Sequence, residues 1–340
     1  MKVLSLFDGM ACGYEALLRA WIQIEKYYAS EIDKYAIQIA TKNHPDIIEI
    51  WDVTQVKWED YQDVDLLIGG SPCQWFSVAG KQLAFDDPRS KLFFEFVRLL
   101  REINPKYFLL ENVKMRKEWI DIISEYLWVQ PIEINSNLLS AQSRKRLYWT
   151  NIPWVKQPEN KWLILSDILQ DNVDEKYYLN ATQAEKMKYL KWPKEIVRGG
   201  DDFKYIYREW QIPYPDRIDR PSRTILTSEW HMTRTTHIIR VWWAYWQLTR
   251  WWVYATEWTA PTITASMWLW WWHIPMIDWD RIRKLTPIEC ERLQTLPDNY
   301  TEWVSDSQRY KMLWNWWTVE VIAHIFRNMN TWWLKEQPLF

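Results

Sequence analysis

The stretch Lys2-Val3-Leu4-Ser5-Leu6-Phe7-Asp8-Gly9-Met10-Ala11-Cys12-Gly13 decides the fold. Residues 3–7 form an apolar run of strand length, and the glycines behind them open a turn into a helix expected from about Tyr14. Glycine at a strand-to-helix turn lets the backbone approach a ligand, and the helix N-terminus favours a carboxylate or phosphate there. The same unit repeats outward. Strands are expected at residues 26–29, 47–50, 64–68, 107–110, 132–135 and 147–150, with helical stretches between them. One such stretch, 91–103, carries Leu92, Phe93, Phe96, Leu99 and Leu100 at helical spacing. Strands alternating with helices predict an α/β fold built on a doubly wound, mostly parallel sheet.

After Thr150 the pattern changes. Residues 152–280 are rich in Pro, Arg, Thr and aromatics, with short β-like runs at 224–226, 237–241 and 262–264, which reads as a smaller, loop-rich second domain. Helical grammar returns at Thr286-Pro287-Ile288-Glu289, a capping box with Pro at the first helical position, opening a helix through Leu293. A last helix is expected over about 319–328.

The 42 Lys and Arg against 44 Asp and Glu leave a net charge of -2, so no blanket attraction to nucleic acid exists and any such contact needs local basic patches. Cys12, Cys73 and Cys290 form no disulfide framework and no CxxC pair, so no metal site is expected. The N-terminal apolar run is too short for a signal peptide and no charge-free apolar span of membrane length occurs, which predicts a cytoplasmic protein that does not engage a membrane.

Several residue sets suggest chemistry. Glu31 ends the second strand, where an acid can accept both hydroxyls of a ribose. Asp52 follows the third and could meet an adenine amino group; ordinary surface acids at strand ends are the alternative for both. Gly69-Gly70-Ser71-Pro72-Cys73-Gln74 directly follows the fourth strand, putting Cys73 in a loop at the carboxyl edge of the sheet. A free cysteine usually packs in a core, but flanking Pro and polar residues fit a positioned thiol, whose thiolate would be the attacking species. Glu111-Asn112-Val113 ends the fifth strand at the same edge, and a protonated Glu there could donate to a ring nitrogen. Gln142-Ser143-Arg144-Lys145-Arg146 precedes the last strand, with alternation placing both arginines on one face and Lys145 on the other.

In this order these motifs resemble those of the DNA (cytosine-5) methyltransferases. The likeness continues through Arg283-x-Leu285-Thr286-Pro287-x-Glu289-x-x-Arg292-Leu293-Gln294 to Asn315 ahead of Thr318-Val319, and the form Leu6-Phe7-Asp8-Gly9 is similar to the branch that includes phage enzymes. The resemblance implies that Cys73 adds to C6 of a flipped cytosine, Glu111 meets its N3 edge, and Arg146 contacts O2 with Arg144 in support. It implies S-adenosyl-L-methionine as cofactor, held by Phe7, Asp8, Gly9, Gly13, Glu31, Asp52 and Asn315, with Pro72, Gln74, Asn112 and Gln142 on the substrate side. The implied division is a catalytic domain over 1–151, target recognition over 152–304, and a segment over 305–340 that returns to the catalytic domain. Residues 203–252 hold eight Lys and Arg against four Asp and Glu, a local net of +4 suited to phosphate contact. Double-stranded DNA is the expected partner of a monomer acting separately from any cognate restriction nuclease, in a prokaryotic or phage-infected cell. An RNA methyltransferase and a catalytically impaired DNA-binding homologue are the alternatives. An amino-methylating enzyme is disfavoured, because Ser71-Pro72-Cys73-Gln74 stands where such an enzyme needs an Asp/Asn-Pro-Pro-aromatic loop.

One count is abnormal. The chain has 29 Trp and 7 Gly, whereas ordinary usage would give roughly 24 Gly in this length. Trp268, Trp270, Trp271 and Trp272 crowd a turn-like segment, and Trp242-Trp243, Trp251-Trp252 and Trp332-Trp333 come as pairs. Doubling in loops is the habit of glycine, which alone enters positive φ without steric cost. Trp51, Trp75, Trp314 and Trp316 also stand where the resembled family has glycine. The expectation is that many of these positions carry a UGA codon meaning glycine in the source, while Trp58, Trp119, Trp149 and Trp192 are genuine.

Overall fold

Val3, Leu4 and Leu6 are wholly buried because the strand that carries them, β1 (Lys2–Leu6), lies inside a seven-stranded sheet in the computed structural model. The structure describes residues 1–70, 90–178, 260–261, 276–277 and 283–329. β2 (Lys26–Ser30), β3 (Ile47–Glu49), β4 (Leu66–Gly69), β5 (Tyr107–Val113), β6 (Ile132–Asn135) and β8 (Lys145–Thr150) complete the sheet in the order β3-β2-β1-β4-β5-β8-β6. β1 to β5 pair in parallel; β8 runs antiparallel between β5 and β6. The sheet is therefore doubly wound and mostly parallel, as the alternating pattern predicts. The strand order reverses at β1 and β4, and the crevice beyond their carboxyl ends is where such sheets bind ligands.

Helices cover both faces, which is why the central strands read as continuous apolar runs. On one face Val3, Ile68 and Leu109 pack with α1 (Cys12–Arg19), α5 (Pro287–Leu293), α6 (Asp306–Asn315) and α7 (Val319–Arg327). On the other, Leu4, Leu67 and Leu110 pack with α3 (Ser90–Ile103) and α4 (Lys117–Leu127). α2 (Lys34–Asn43) begins at Asp33, whose side chain accepts from Tyr35 N. Short pairs join β7 (Gln142–Ser143) to β9 (Ala260–Pro261), in parallel, and β10 (Met276–Ile277) to β11 (Arg283–Lys284), antiparallel. Residues 165–169 and 285–300, near the two ends of the 152–304 segment, contribute Leu165, Ile168, Leu285, Leu293 and Tyr300 to the core beside β1.

The structure moves several expected boundaries. α1 starts at Cys12 rather than Tyr14, because Ala11 takes the left-handed conformation (φ 63) and turns the chain into the helix there. The last strand begins at Lys145, pairing Asn135 with Lys145 and Val113 with Arg146. α6 carries no periodic signal: its buried residues are Arg309, Tyr310, Met312 and Leu313, half of them polar or aromatic-polar. The capping box is present in full, Thr286 Oγ1 accepting from Glu289 N and Glu289 accepting from Thr286 N.

Among the described residues ten non-glycine positions have positive φ, and five of them are Trp21, Trp51, Trp128, Trp154 and Trp162. All five are exposed, at 58 to 89%. Trp119 and Trp149 differ: both are buried, and Trp149 Nε1 donates to Ser124 Oγ at 2.9 Å. Pro72, Cys73, Gln74, Trp75, Trp192, the Trp pairs at 242, 251 and 332, the cluster at 268–272 and the β-like runs at 224–226, 237–241 and 262–264 lie outside the described residues. No described helix is long and apolar enough to cross a membrane, and no metal-ligating cluster occurs among the described residues.

Candidate active site at the carboxyl edge of the sheet

The turn after β1 is wound tightly: Phe7, Gly9 and Ala11 all have positive φ, at 57, 67 and 63°. Two of the three are not glycine, a local strain of the kind that surrounding structure must hold in place. It is held from below. Glu31, at the end of β2 and buried, accepts from Gly9 N (2.9 Å), Ile32 N (2.8 Å) and Asp33 N (2.8 Å). Burial raises the Glu31 carboxyl above its usual range while these three amides oppose the rise. Asp8 receives the Tyr27 hydroxyl at 2.5 Å, and burial pushes its carboxyl up to about 6. Gly13 has no room for a side chain, since a Cβ there would meet Ile68 Cδ1 and the Tyr27 hydroxyl.

Glu49, at the end of β3, joins Asp8 and Glu31 electrostatically, and burial pushes it up to about 7. Its two carboxyl oxygens and Asp8 Oδ2 are buried without a hydrogen-bond partner. The unpartnered oxygens of Asp8 and Glu49 suit a ligand that brings hydrogen-bond donors, whereas both Glu31 oxygens are taken by backbone amides. Asp52 is exposed and its side chain accepts from Thr54 N.

The acids have a consequence for stability. A carboxyl raised in the folded state stabilises relative to the ionised form below its unfolded value, and that contribution is lost as pH rises through the folded value. For Asp8 and Glu49 the loss runs upward from about pH 4 to about 6 and 7 respectively. Glu49→Gln is expected to raise unfolding stability at pH 8 by about 2 kcal/mol and to change it little at pH 4. Urea unfolding at the two pH values checks this; an equal gain at both would contradict it.

A second cluster lies at the ends of β4 and β5. Glu111 is 8% exposed and sits between two partners: it pairs ionically with Arg146 Nε, 3.0 Å from Oε1, and accepts from Trp317 Nε1 at 3.2 Å from Oε2. Antiparallel pairing of β8 with β5 brings Arg146 there. Gly70 closes against the same group, since a Cβ on it would stand 2.9 Å from Trp317 Nε1 and 3.4 Å from Glu111 Oε2. The two arginines take different partners. Arg144 instead donates to Trp314 O (3.1 Å) and Trp316 O (3.2 Å) with its guanidinium over the Trp314 ring, so it clamps the turn after α6. Both are buried and Lys145 is exposed, as alternation requires.

Asn112 is 2% exposed, its Oδ1 accepting from Val113 N. Gln142 is wholly buried with both amide atoms unpartnered. Asn315 ends α6 and is exposed. Cys12 and Cys290 are buried, and burial pushes both thiols up, away from the thiolate. Sequence reasoning passed over Tyr27, Glu49 and Trp317. Tyr27 and Glu49 lie on expected strands, but nothing local marks their pairing with Asp8; Trp317 stands two residues beyond Asn315, hidden among its Trp neighbours.

The family described as C-5 cytosine-specific DNA methylase matches residues 1–118 and 136–331. The type II methyltransferase M.NlaX of Neisseria lactamica is 28% identical over 351 residues, covering 97% of this chain and 96% of that protein. The orphan methyltransferase M.Rho11sI of Bacillus phage rho11s is 31% identical over 245 residues, 57% of this chain. The alignments span about half the length of two such phage relatives, 49% and 54%. Among solved structures, the S. pombe Dnmt2 methyltransferase is similar at a TM-score of 0.66 and 18% identity, over 98% of this chain and 99% of that one. The Entamoeba histolytica methyltransferase EhMeth is similar at 0.69 and 16%, over 99% of both chains. At such identities these likenesses speak for the fold.

Proposed function

The chain belongs to the C-5 cytosine-specific DNA methylase family, and from that premise we propose that it methylates carbon 5 of cytosine in duplex DNA, with Cys73 as nucleophile and S-adenosyl-L-methionine as cofactor. The observation that carries the reading is the Glu111 carboxyl held between Arg146 and Trp317 beside Gly70. Cys73 follows Gly70 by three residues, a reach of at most about 10 Å along an extended chain. Pro72 and Gln74 flank it, and the unpartnered Gln142 amide supports a substrate-side role.

The residues divide the work as follows. The Cys73 thiolate forms a bond to C6 of a cytosine turned out of the duplex, while Glu111 donates a proton toward N3 and Arg146 offsets charge at O2. C5 becomes electron-rich. When bound, the cofactor would supply an electrophilic sulfonium methyl to C5, its sulfur keeping the broken bond's electron pair as a neutral thioether. Loss of the C5 proton to water then re-forms the ring double bond, expels Cys73 as thiolate and returns the N3 proton to Glu111. Phe7, Asp8, Gly9, Gly13, Glu31, Asp52 and Asn315 hold the cofactor in this reading, and the unpartnered carboxyl oxygens of Asp8 and Glu49 remain to accept from it. Arg144 supports the site by fixing residues 314–316.

The division into 1–151, 152–304 and 305–340 belongs to this proposal, with target recognition inside the middle segment and its +4 stretch over 203–252 meeting phosphates. So do a monomeric state, a cytoplasmic site of action, and a separately acting restriction nuclease, which the type II name of the Neisseria relative suggests. Transfer of labelled methyl to duplex DNA and to tRNA tests the function. Label at C5 of cytosine in DNA is the expected result; label in tRNA alone would overturn it in favour of the RNA reading.

A further inference from the structure

Among the described residues two sets of tryptophan contrast. Trp119, Trp149 and Trp317 are buried, and the Trp149 and Trp317 indoles donate to Ser124 and Glu111. Trp21, Trp51, Trp128, Trp154 and Trp162 are exposed and have φ between 55 and 61°, a region that a bulky L-residue enters only at a steric cost. Exposure leaves little burial to offset that cost, although the Arg101 guanidinium lies over the Trp128 ring. Two of them occupy the places glycine takes at helix ends. Trp21 follows α1 with Trp21 N bonded to Leu18 O and Ile22 N to Leu17 O, the Schellman pattern whose left-handed residue is normally glycine. Trp128 caps α4 at φ 56, ψ 21.

Trp316 is anomalous in another way. Its ring overlaps the place a Cβ on Gly9 would take, so it lies on the strained turn after β1, and its Nε1 is buried without a partner. An indole there covers the backbone that the proposed cofactor must reach.

We infer that Trp21, Trp51, Trp128, Trp154, Trp162 and Trp316 are glycine in the protein as its source makes it, their shared codon being read there as glycine, and that glycine at 316 uncovers the cofactor turn. For the first five the inference stands on backbone geometry; for Trp316 it stands on the ring over Gly9 and the unpartnered Nε1, and the uncovering of the turn rests on the proposed function. The gene and the native protein test the identity of the six residues. UGA is expected at all six positions and UGG at 119, 149 and 317, with mass spectrometry of the native protein reading glycine at the six. UGG at those six overturns it. Chains made with Trp and with Gly at the six test the rest. The Gly chain is expected to melt at least about 5 °C higher and to bind S-adenosyl-L-methionine at least tenfold more tightly by calorimetry. Equal, measurable affinities overturn the role of position 316, whereas failure of both chains to bind falls on the proposed function instead.

Independently, the geometry points to Trp317 as a positioning residue for the reaction, its indole N–H fixing Glu111 Oε2 opposite Arg146. Trp317→Phe keeps the ring and removes only the donor. In a glycine-restored chain, kcat is expected to fall about tenfold while KM for the cofactor stays within twofold and the melting temperature is unchanged. Unchanged kcat overturns the assignment, as does a fall in kcat accompanied by a matching loss of melting temperature, which a merely structural role would give.

Discussion

Cys73→Ala is expected to leave cofactor binding intact and to lower methyl transfer to background. Without a thiolate no bond forms at C6, and C5 of cytosine then lacks the electron density to accept a methyl, so the loss is at least about 10⁴-fold. No described cysteine can substitute, because Cys12 and Cys290 are buried and their thiols are held protonated. Equilibrium dialysis of labelled cofactor, run beside a methyl-transfer assay on the glycine-restored chain, separates the two functions. Turnover near the parent rate in the variant would move the nucleophile elsewhere, and loss of cofactor binding would mean that Cys73 supports the fold.

The second large effect concerns stability. Glu289 is wholly buried and accepts from Arg283 through two nitrogens (2.9 and 2.8 Å), from Thr286 N (2.8 Å) and from Gln170 N (2.9 Å). Glu289→Ala strands Arg283, itself 5% exposed, and orphans two backbone amides. Breaking one side of a buried pair costs about 3–5 kcal/mol, a large share of the roughly 5–15 kcal/mol that a domain holds. Urea unfolding should therefore shift to much lower denaturant. The double variant Arg283→Met with Glu289→Met is expected to recover part of the loss, since apolar replacement of both partners removes the stranded charge. A loss under about 1 kcal/mol in Glu289→Ala would show that the pair does not hold α5 to the core.

This pair also shows what the sequence could and could not say. The motif from Arg283 to Gln294 was legible as a recurring string and its capping box as a helix start, but its purpose is packing. Arg283 and Glu289 neutralise each other, Arg292 pairs with Asp298, and Gln294 bonds Thr318 and Leu313 O. The β1 turn, Glu31 and the Glu111 strand end were legible because each follows an apolar run of strand length. The reversal of β8 was not, since nothing in residues 145–150 encodes direction; pairing with both β5 and β6 imposes it. Arg144 and Arg146 share a face and yet part company, because their partners lie about 170 residues away in one case and on the adjacent strand in the other. Long-range pairing of this kind leaves no local periodicity to read.

The distance between α1 and α7 along the chain sets a further condition on how this protein comes into being. The two helices lie against each other, with Arg327 Nη2 donating to Arg19 O and Arg19 within 3.8 Å of Glu320. Trp317 and the Arg144 clamp belong to the same late stretch. While the chain is still on the ribosome, the first helix has an uncovered apolar face and Glu111 lacks its indole donor until translation has passed residue 317. A product that ends before residue 317 therefore lacks both the cover over α1 and the indole partner of Glu111.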